Sequence, residues 1–392
     1  MERSIRGLSE ISLDWNINEI GISIIVGVGL AILLKQWIFK ECKIKHFVFY
    51  YCSSLVVSFL HFYYYWKLGV DLDVISFLKE GIIVDDVIRA SYLSQLDFLL
   101  WFPSIGNNDS VQLLIDHTYT LMDFGACNLI KVHYLMNKVG LGWSGSLIFF
   151  HLMGFIGFML LAQRVPWQKT MLYYSPLVFM ASLWSFAMLK GSIVLLSLGL
   201  ISCKSRFSIV LGLITLGLVR PYLVPLVLLY IIVERNLWKV ALWKVAFGSI
   251  ILYLIGGTIL RYDPLLLKTF EFQTVAPGDF HAFTIPIEGY WSRAGHLFYA
   301  PIWGALAPFS FDTLKSSVFS LLNVVGLFLA FMKVRSSVRV NHASLGWLLF
   351  LVLLLYGSSV TNGMTLLRYK SPFILFAIAL LMRSNIKEKS NL

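Results

Sequence analysis

The chain has 392 residues, 58% of them hydrophobic and only 14% charged. Soluble proteins carry about 25% charged residues, so this composition excludes a soluble enzyme or scaffold and predicts an all-α, polytopic integral membrane protein. The net charge of +11 would suggest nucleic acid in a soluble chain; here the excess lies in short connecting loops, where it reads as topology and not as a nucleic-acid surface.

The first residues, MERSIRGLSEISLDW, lack the apolar core of a signal peptide, and the first apolar segment is expected to be a retained span. A spanning helix takes roughly 20 mostly apolar residues. On that measure the chain holds about eleven candidate spans, at 20–34, 47–66, 143–161, 171–188, 191–203, 208–219, 221–233, 241–260, 317–332, 345–359 and 366–382. They form a single membrane domain over 1–392, with two larger outer loops at about 67–116 and 261–312. Residues 113–136 are nearly apolar enough for another span, but Asp116, Asp123 and Lys131 favour a surface or re-entrant helix. Cys42, Cys52, Cys127 and Cys203 form no CxxC pair and suggest neither a disulfide framework nor a zinc site.

Eleven spans put the two ends of the chain on opposite sides. The loops at 35–46, 162–170, 204–207, 234–240 and 333–344 then share one side with the tail from Arg383. They are rich in Lys and Arg, and their only acids are Glu41, Glu234 and Glu388. The positive-inside rule makes this side cytoplasmic, with the C-terminus. The acid-bearing side is outer, which in a bacterium is the periplasm.

Asp71-Leu72-Asp73 follows the aromatic run HFYYYWK. It reads either as solvated acids beyond an interfacial belt or as carboxylates at the membrane edge, placed to act as general base or metal ligand. Lys190 and Arg220 each sit between two apolar runs, and Arg368 and Lys370 approach the same outer face. A cation at the bilayer centre costs roughly 3 kcal/mol. These four either snorkel or pair with acids such as Asp71 and Glu271, or they hold a lipid phosphate, whose oxygens match the arginine fork. The 261–312 loop is broken by prolines at 264, 277, 286, 301 and 308 and carries Asp279, His281, Arg293 and His296. Arg293 and His296 share a face if helical, and a histidine exchanges protons near neutral pH. No G-x-G-x-x-G, Walker A, H-E-x-x-H or G-x-S-x-G motif is present, so nucleotide and zinc chemistry have no motif support.

Taken together, these features resemble bacterial polysaccharide polymerases of the O-antigen (Wzy) type, and more broadly the multi-span glycosyltransferases of the GT-C fold. The resemblance rests on four features. They are a basic chain made of helical spans, the early acidic outer loop at Asp71-Leu72-Asp73, the Pro–aromatic–Lys segment from Pro176 to Lys190, and the late outer loop with Arg293. Arg293 and Gly304 also fit the Arg, ten residues, Gly pattern of such polymerases; Arg206–Gly217 and Arg335–Gly346 fit the same spacing on the cytoplasmic side.

The resemblance implies a glycosyltransferase of the bacterial inner membrane that joins glycan units from undecaprenyl-diphosphate carriers on the periplasmic face. Lys190, Arg220, Arg368 and Lys370 would hold the diphosphate. Asp71, Asp73, Arg293 and His296 would be the catalytic candidates, and Tyr290, Trp291 and Trp303 would stack on sugars. The implied partners are the lipid-linked oligosaccharide, membrane lipids and a chain-length regulator or flippase. No cofactor is implied, and a divalent metal stays open. The competing reading is a transporter or flippase for the same lipid-linked oligosaccharide, which needs its cations inside a cavity through the membrane.

Overall fold

The computed structural model describes residues 16–38, 44–67, 73–90, 93–101, 109–118, 121, 124–162, 190–203, 205–234, 302, 304–305, 317–318, 320–321, 323–325, 327–328, 343–359, 369–377 and 379–380. Nearly all of these are helical, and no strand occurs among them. The helices are α1 (Ile17–Ile38), α2 (Ile44–Lys67), α3 (Asp73–Ala90), α4 (Gln95–Leu100), α5 (Asp109–His117), α6 (Phe124–Lys138), α7 (Gly142–Ala162), α8 (Lys190–Ser202), α9 (Arg206–Val219), α10 (Val224–Glu234) and α11 (Ala343–Ser359). A 3₁₀ turn, Pro221–Leu223, joins α9 to α10. Residues 369–377 form a further helical stretch.

Three described helices are long and apolar enough to cross a membrane: Ile17–Trp37, Phe47–Tyr64 and Gly142–Ala162. Lys190–Ser202, Arg206–Val219 and Pro221–Ile232 are apolar but shorter. At 1.5 Å per residue such helices reach only part of the way across a hydrocarbon core of about 30 Å, unless paired end to end. The expected spans at 171–188 and 241–260 lie outside the described residues.

Helix α7 is the centre of the bundle. It is apolar all round and buried along most of its length, as a helix surrounded by others must be. Helix α1 runs parallel to it: Ser23 Oγ lies 3.0 Å from Ser144 Oγ, and four residues on, Gly27 abuts Ile148. Helix α2 runs antiparallel. Phe47 packs edge-on to Phe155 at 5.2 Å, while Phe62 stacks on Trp143 at 5.0 Å. Between these contacts the buried His151 bridges two serines, Ser54 at Nε2 and Ser58 at Nδ1, both at 3.2 Å. Ser54 Oγ already donates to the Tyr51 carbonyl at 2.9 Å. Its oxygen therefore accepts from Nε2–H, and Nδ1 accepts from Ser58. This satisfied polar clamp sets the register of α2 on α7.

Helices α7, α8 and α9 meet backbone to backbone. A Cβ on Gly157 would lie 2.5 Å from the Leu195 carbonyl, one on Gly199 would lie 2.6 Å from the Gly157 oxygen, and one on Gly212 would lie 2.8 Å from the Ser197 oxygen. With little hydrophobic drive between helices in lipid, close approach through small residues supplies the van der Waals contact that holds them. The opposite faces of α1 and α9 are bare and apolar, with Ile25, Leu33, Val210 and Ile214 exposed, as lipid-facing surfaces are.

Helices α3 to α6 form a module between the spanning helices α2 and α7. Gly81 of α3 lies against His133 and Tyr134 of α6, and Asp85 pairs with Lys138 at 2.5 Å. The two helices are therefore parallel. Helix α4 is capped by Ser94, whose Oγ accepts from Asp97 N at 3.0 Å. It docks through Phe98 on Tyr134 at 5.5 Å. The 113–136 segment, expected as one surface or re-entrant helix, is two helices. Thr118 and Leu121 are non-helical, and the Thr118 hydroxyl donates to the Leu114 carbonyl at 2.8 Å, the side-chain competition that ends helices. Lys131 is not solvated: it is 7% exposed and donates to the Trp101 carbonyl. Burial pulls its ammonium pKa below the usual value.

Candidate functional site

The site begins at a helix break. Proline cannot continue α9, and it steers the residue before it out of the helical region. Arg220 accordingly ends α9 at φ −145°, ψ 71°, with its N–H on the Leu216 carbonyl at 2.7 Å, and Pro221 opens the 3₁₀ turn. The guanidinium thus leaves the chain where two short apolar helices meet.

Arg220 is 4% exposed. Its Nη1 donates to the Tyr222 hydroxyl at 2.5 Å and to the Tyr356 hydroxyl at 3.0 Å. The Tyr369 ring lies 3.8 Å from Cζ, and the Tyr356 ring 5.6 Å away. The Tyr356 and Tyr369 rings sit 5.2 Å apart, and Tyr222 meets Tyr356 edge-on at 6.4 Å. Three elements supply this cage: the 3₁₀ turn, the C-terminal part of α11 and the start of the 369–377 helix. Among the described residues no carboxylate pairs with Arg220. The tyrosines take both Nη1 protons. The guanidinium also donates to the Tyr369 side chain, so all three tyrosines of the cage bind it. A buried guanidinium without an anionic partner is a costly arrangement, and an external anion relieves it.

Lys370 follows Tyr369 and is fully buried. Its Nζ donates to the carbonyls of Gly304 at 3.1 Å and Ala305 at 2.7 Å. Gly304 abuts the Leu353 backbone of α11 so closely that a Cβ has no room. Lys370 therefore secures residues 304–305 beside the arginine cage. Expected as a phosphate ligand, it acts in the structure as a tether for that segment.

Asn128 of α6 donates to the Leu218 carbonyl at 2.7 Å, two residues before Arg220. Helix α6 thus bridges from the start of α7 to the end of α9, two residues from Arg220. Because α3 runs parallel to α6, its first residue, Asp73, lies toward the same end of α6 as Asn128. The topology therefore brings the backbone of Asp73 toward the end of α6 that meets α9. Lys190 is the first residue of α8 and half-buried. Asp71, Tyr290, Trp291, Arg293, His296, Trp303 and Arg368 lie outside the described residues.

Sequence reasoning named Arg220 and missed the tyrosines. The signal was present in Arg220-Pro221-Tyr222 and Arg368-Tyr369-Lys370, where a tyrosine follows a cation at a helix end. Only Tyr356, in an ordinary apolar run, carries no local mark.

A second buried polar group lies within the module. His133 of α6 is wholly buried against Gly81 and Phe150, and neither ring nitrogen has a hydrogen-bond partner. Burial pushes its pKa down to about 3, so the ring is neutral at any physiological pH. It is a packed core histidine and not a proton shuttle. No protein-family model, no curated protein and no solved structure matches this chain.

Proposed function

We propose that the chain is a membrane glycosyltransferase of the polysaccharide-polymerase type, acting on glycan units carried by a polyprenyl diphosphate at the outer face of a bacterial inner membrane. One observation carries this reading: a buried arginine held by tyrosines, with no carboxylate partner among the described residues. A lipid diphosphate supplies the missing charge and is delivered from the membrane that surrounds the site.

In the proposed reaction an acceptor sugar hydroxyl attacks the anomeric carbon of the donor glycan. The new glycosidic C–O bond forms as the anomeric C–O bond to the diphosphate breaks. The bonding pair leaves with the lipid diphosphate, and Arg220 stabilises that developing charge. The hydroxyl proton passes to a carboxylate of the Asp71–Asp73 pair. Arg293 and His296 of the second outer loop complete the proposed catalytic set, and Tyr290, Trp291 and Trp303 the sugar platform. Lys190 and Arg368 join Arg220 as diphosphate ligands.

The test uses purified protein in proteoliposomes with a synthetic polyprenyl-diphosphate oligosaccharide. The expected result is glycan lengthening with release of polyprenyl diphosphate, abolished by Arg220→Ala and by Asp73→Asn. Transbilayer movement of the intact lipid without lengthening assigns the chain to the flippase class and ends the polymerase reading.

A further inference from the structure

We propose that the contact between α3 and α6 is a pH-sensitive latch, in which His133 takes up a proton in mild acid and α3 comes away from α6. Helix α3 begins at Asp73, so its release regulates the proposed reaction; that consequence rests on the reading of Asp73 as a general base. Three neighbouring residues of α6 leave this contact short of hydrogen bonds. His133 is wholly buried and neither ring nitrogen has a hydrogen-bond partner among the described residues. The Tyr134 hydroxyl and the Asn137 side-chain nitrogen are buried and equally without one. Native structures leave few such groups, and each regains its hydrogen bonds when water reaches it. Helix α3 seals them closely: a Cβ on Gly81 would lie 3.0 Å from His133 Cβ and 3.2 Å from the Tyr134 nitrogen. On its other side the His133 ring packs on Phe150 of α7 at 5.3 Å. The ring reaches water only if one of these contacts opens. Helix α7 is the buried centre of the bundle, so α3 is the side that yields.

No carboxylate on the packed elements is placed to pair with an imidazolium. On α3, Asp85 already pairs with Arg89 at 2.6 Å and Lys138 at 2.5 Å. Asp73, Lys79, Glu80 and Asp86 lie off the helix face formed by Gly81 and Asp85. Helix α7 contains no Asp, Glu, Lys or Arg, and its His151 bonds to the serines of α2. On α6 itself the charges are Lys131 and Lys138, and like charges disfavour a further cation. Burial pushes the His133 pKa down to about 3, while a solvated imidazole titrates near 6.5. Opening therefore takes up a proton below about pH 6.5 and is favoured as pH falls. By linkage the equilibrium constant for opening rises roughly 25-fold between pH 7 and 5.

The experiment is hydrogen exchange on the full-length protein in detergent, corrected for the intrinsic pH dependence of amide exchange. It reads the opening of α3 and of α7 separately. The expected result is a rise of roughly 25-fold for α3 amides from pH 7 to 5, with α7 amides unchanged. His133→Leu should remove the rise. Asp85→Asn takes away the other titratable group at this contact and should leave the rise in place. A pH-independent α3, a rise that survives His133→Leu, a rise lost in Asp85→Asn, or a common rise in α3 and α7 overturns the latch. In proteoliposomes, glycan lengthening should fall over the same pH range in the parent protein and hold in His133→Leu. If no glycan lengthens at either pH while exchange behaves as expected, the latch stands and the polymerase reading fails. If glycan lengthens and exchange is flat, that reading stands without the latch.

Discussion

Replacing Arg220 with lysine keeps one positive charge at the break between α9 and α10 and removes the planar fork. In the parent protein Nη1 makes two charge-assisted hydrogen bonds, to Tyr222 at 2.5 Å and to Tyr356 at 3.0 Å, and the Tyr369 ring lies 3.8 Å from Cζ. Hydrogen bonds to charged groups contribute about 1.5–3 kcal/mol each, and a desolvated cation over an aromatic face about 2 kcal/mol. A lysine ammonium can remake one of the two hydrogen bonds and part of the ring contact. The net loss is therefore about 2–4 kcal/mol. Part of it appears as lower stability and part as a weaker grip on the anion. A share of about 1.5–3 kcal/mol in binding is a loss of roughly tenfold to over a hundredfold in affinity for farnesyl diphosphate, since each 1.4 kcal/mol is tenfold. Isothermal calorimetry in detergent reads the binding share, and thermal unfolding of the unliganded protein reads the rest. Equal affinity and equal unfolding temperature in Arg220→Lys would refute the reasoning, because they would mean that charge alone, and not the fork and its tyrosines, matters at this position.

Three further outcomes are expected. His133 titrates at about 3 in the fold and near 6.5 when unfolded; the unfolded chain binds the extra proton between those values, so the stability is fully present above pH 6.5 and falls by about 1.4 kcal/mol per unit as pH drops below it. His133→Leu should flatten that acid slope in unfolding midpoints measured from pH 7 to 5, and an unchanged slope would count against a neutral buried ring. Gly199→Val places a Cβ 2.6 Å from the Gly157 oxygen and should lower the unfolding midpoint by the equivalent of about 1–3 kcal/mol, the usual range for overpacking; a midpoint within error of the parent would mean that α7 and α8 do not meet there. In a cysteine-free background, cysteines at Asn18 and Leu96 should react with an impermeant reagent from outside intact cells, while one at Ser205 should react only after permeabilisation. Labelling of Leu96 and Ser205 from the same side would reject the arrangement of α3–α6 and the α8–α9 hairpin.

Much of this protein was legible before any coordinates. Long apolar stretches form helices in lipid because nothing else satisfies their backbone groups there, and proline at position 221 stops a helix wherever it stands. Those effects are local, so the membrane class, the helices at α1, α2, α7 and α11, and a cation at the Arg220-Pro221 helix break followed from composition and punctuation alone. What surrounds that cation did not. Arg220 and Tyr356 are 136 residues apart, and Tyr356 differs in no local way from any tyrosine in an apolar run. Lys131 and Lys370 read as surface or ligand cations from charge alone, and both are buried on backbone carbonyls. A charged side chain is priced by its final surroundings: water, lipid, a carboxylate, a carbonyl or an aromatic ring. Helix packing decides which of these it meets, and that packing depends on shape matches such as Gly157 on Gly199, which no single stretch of the chain contains.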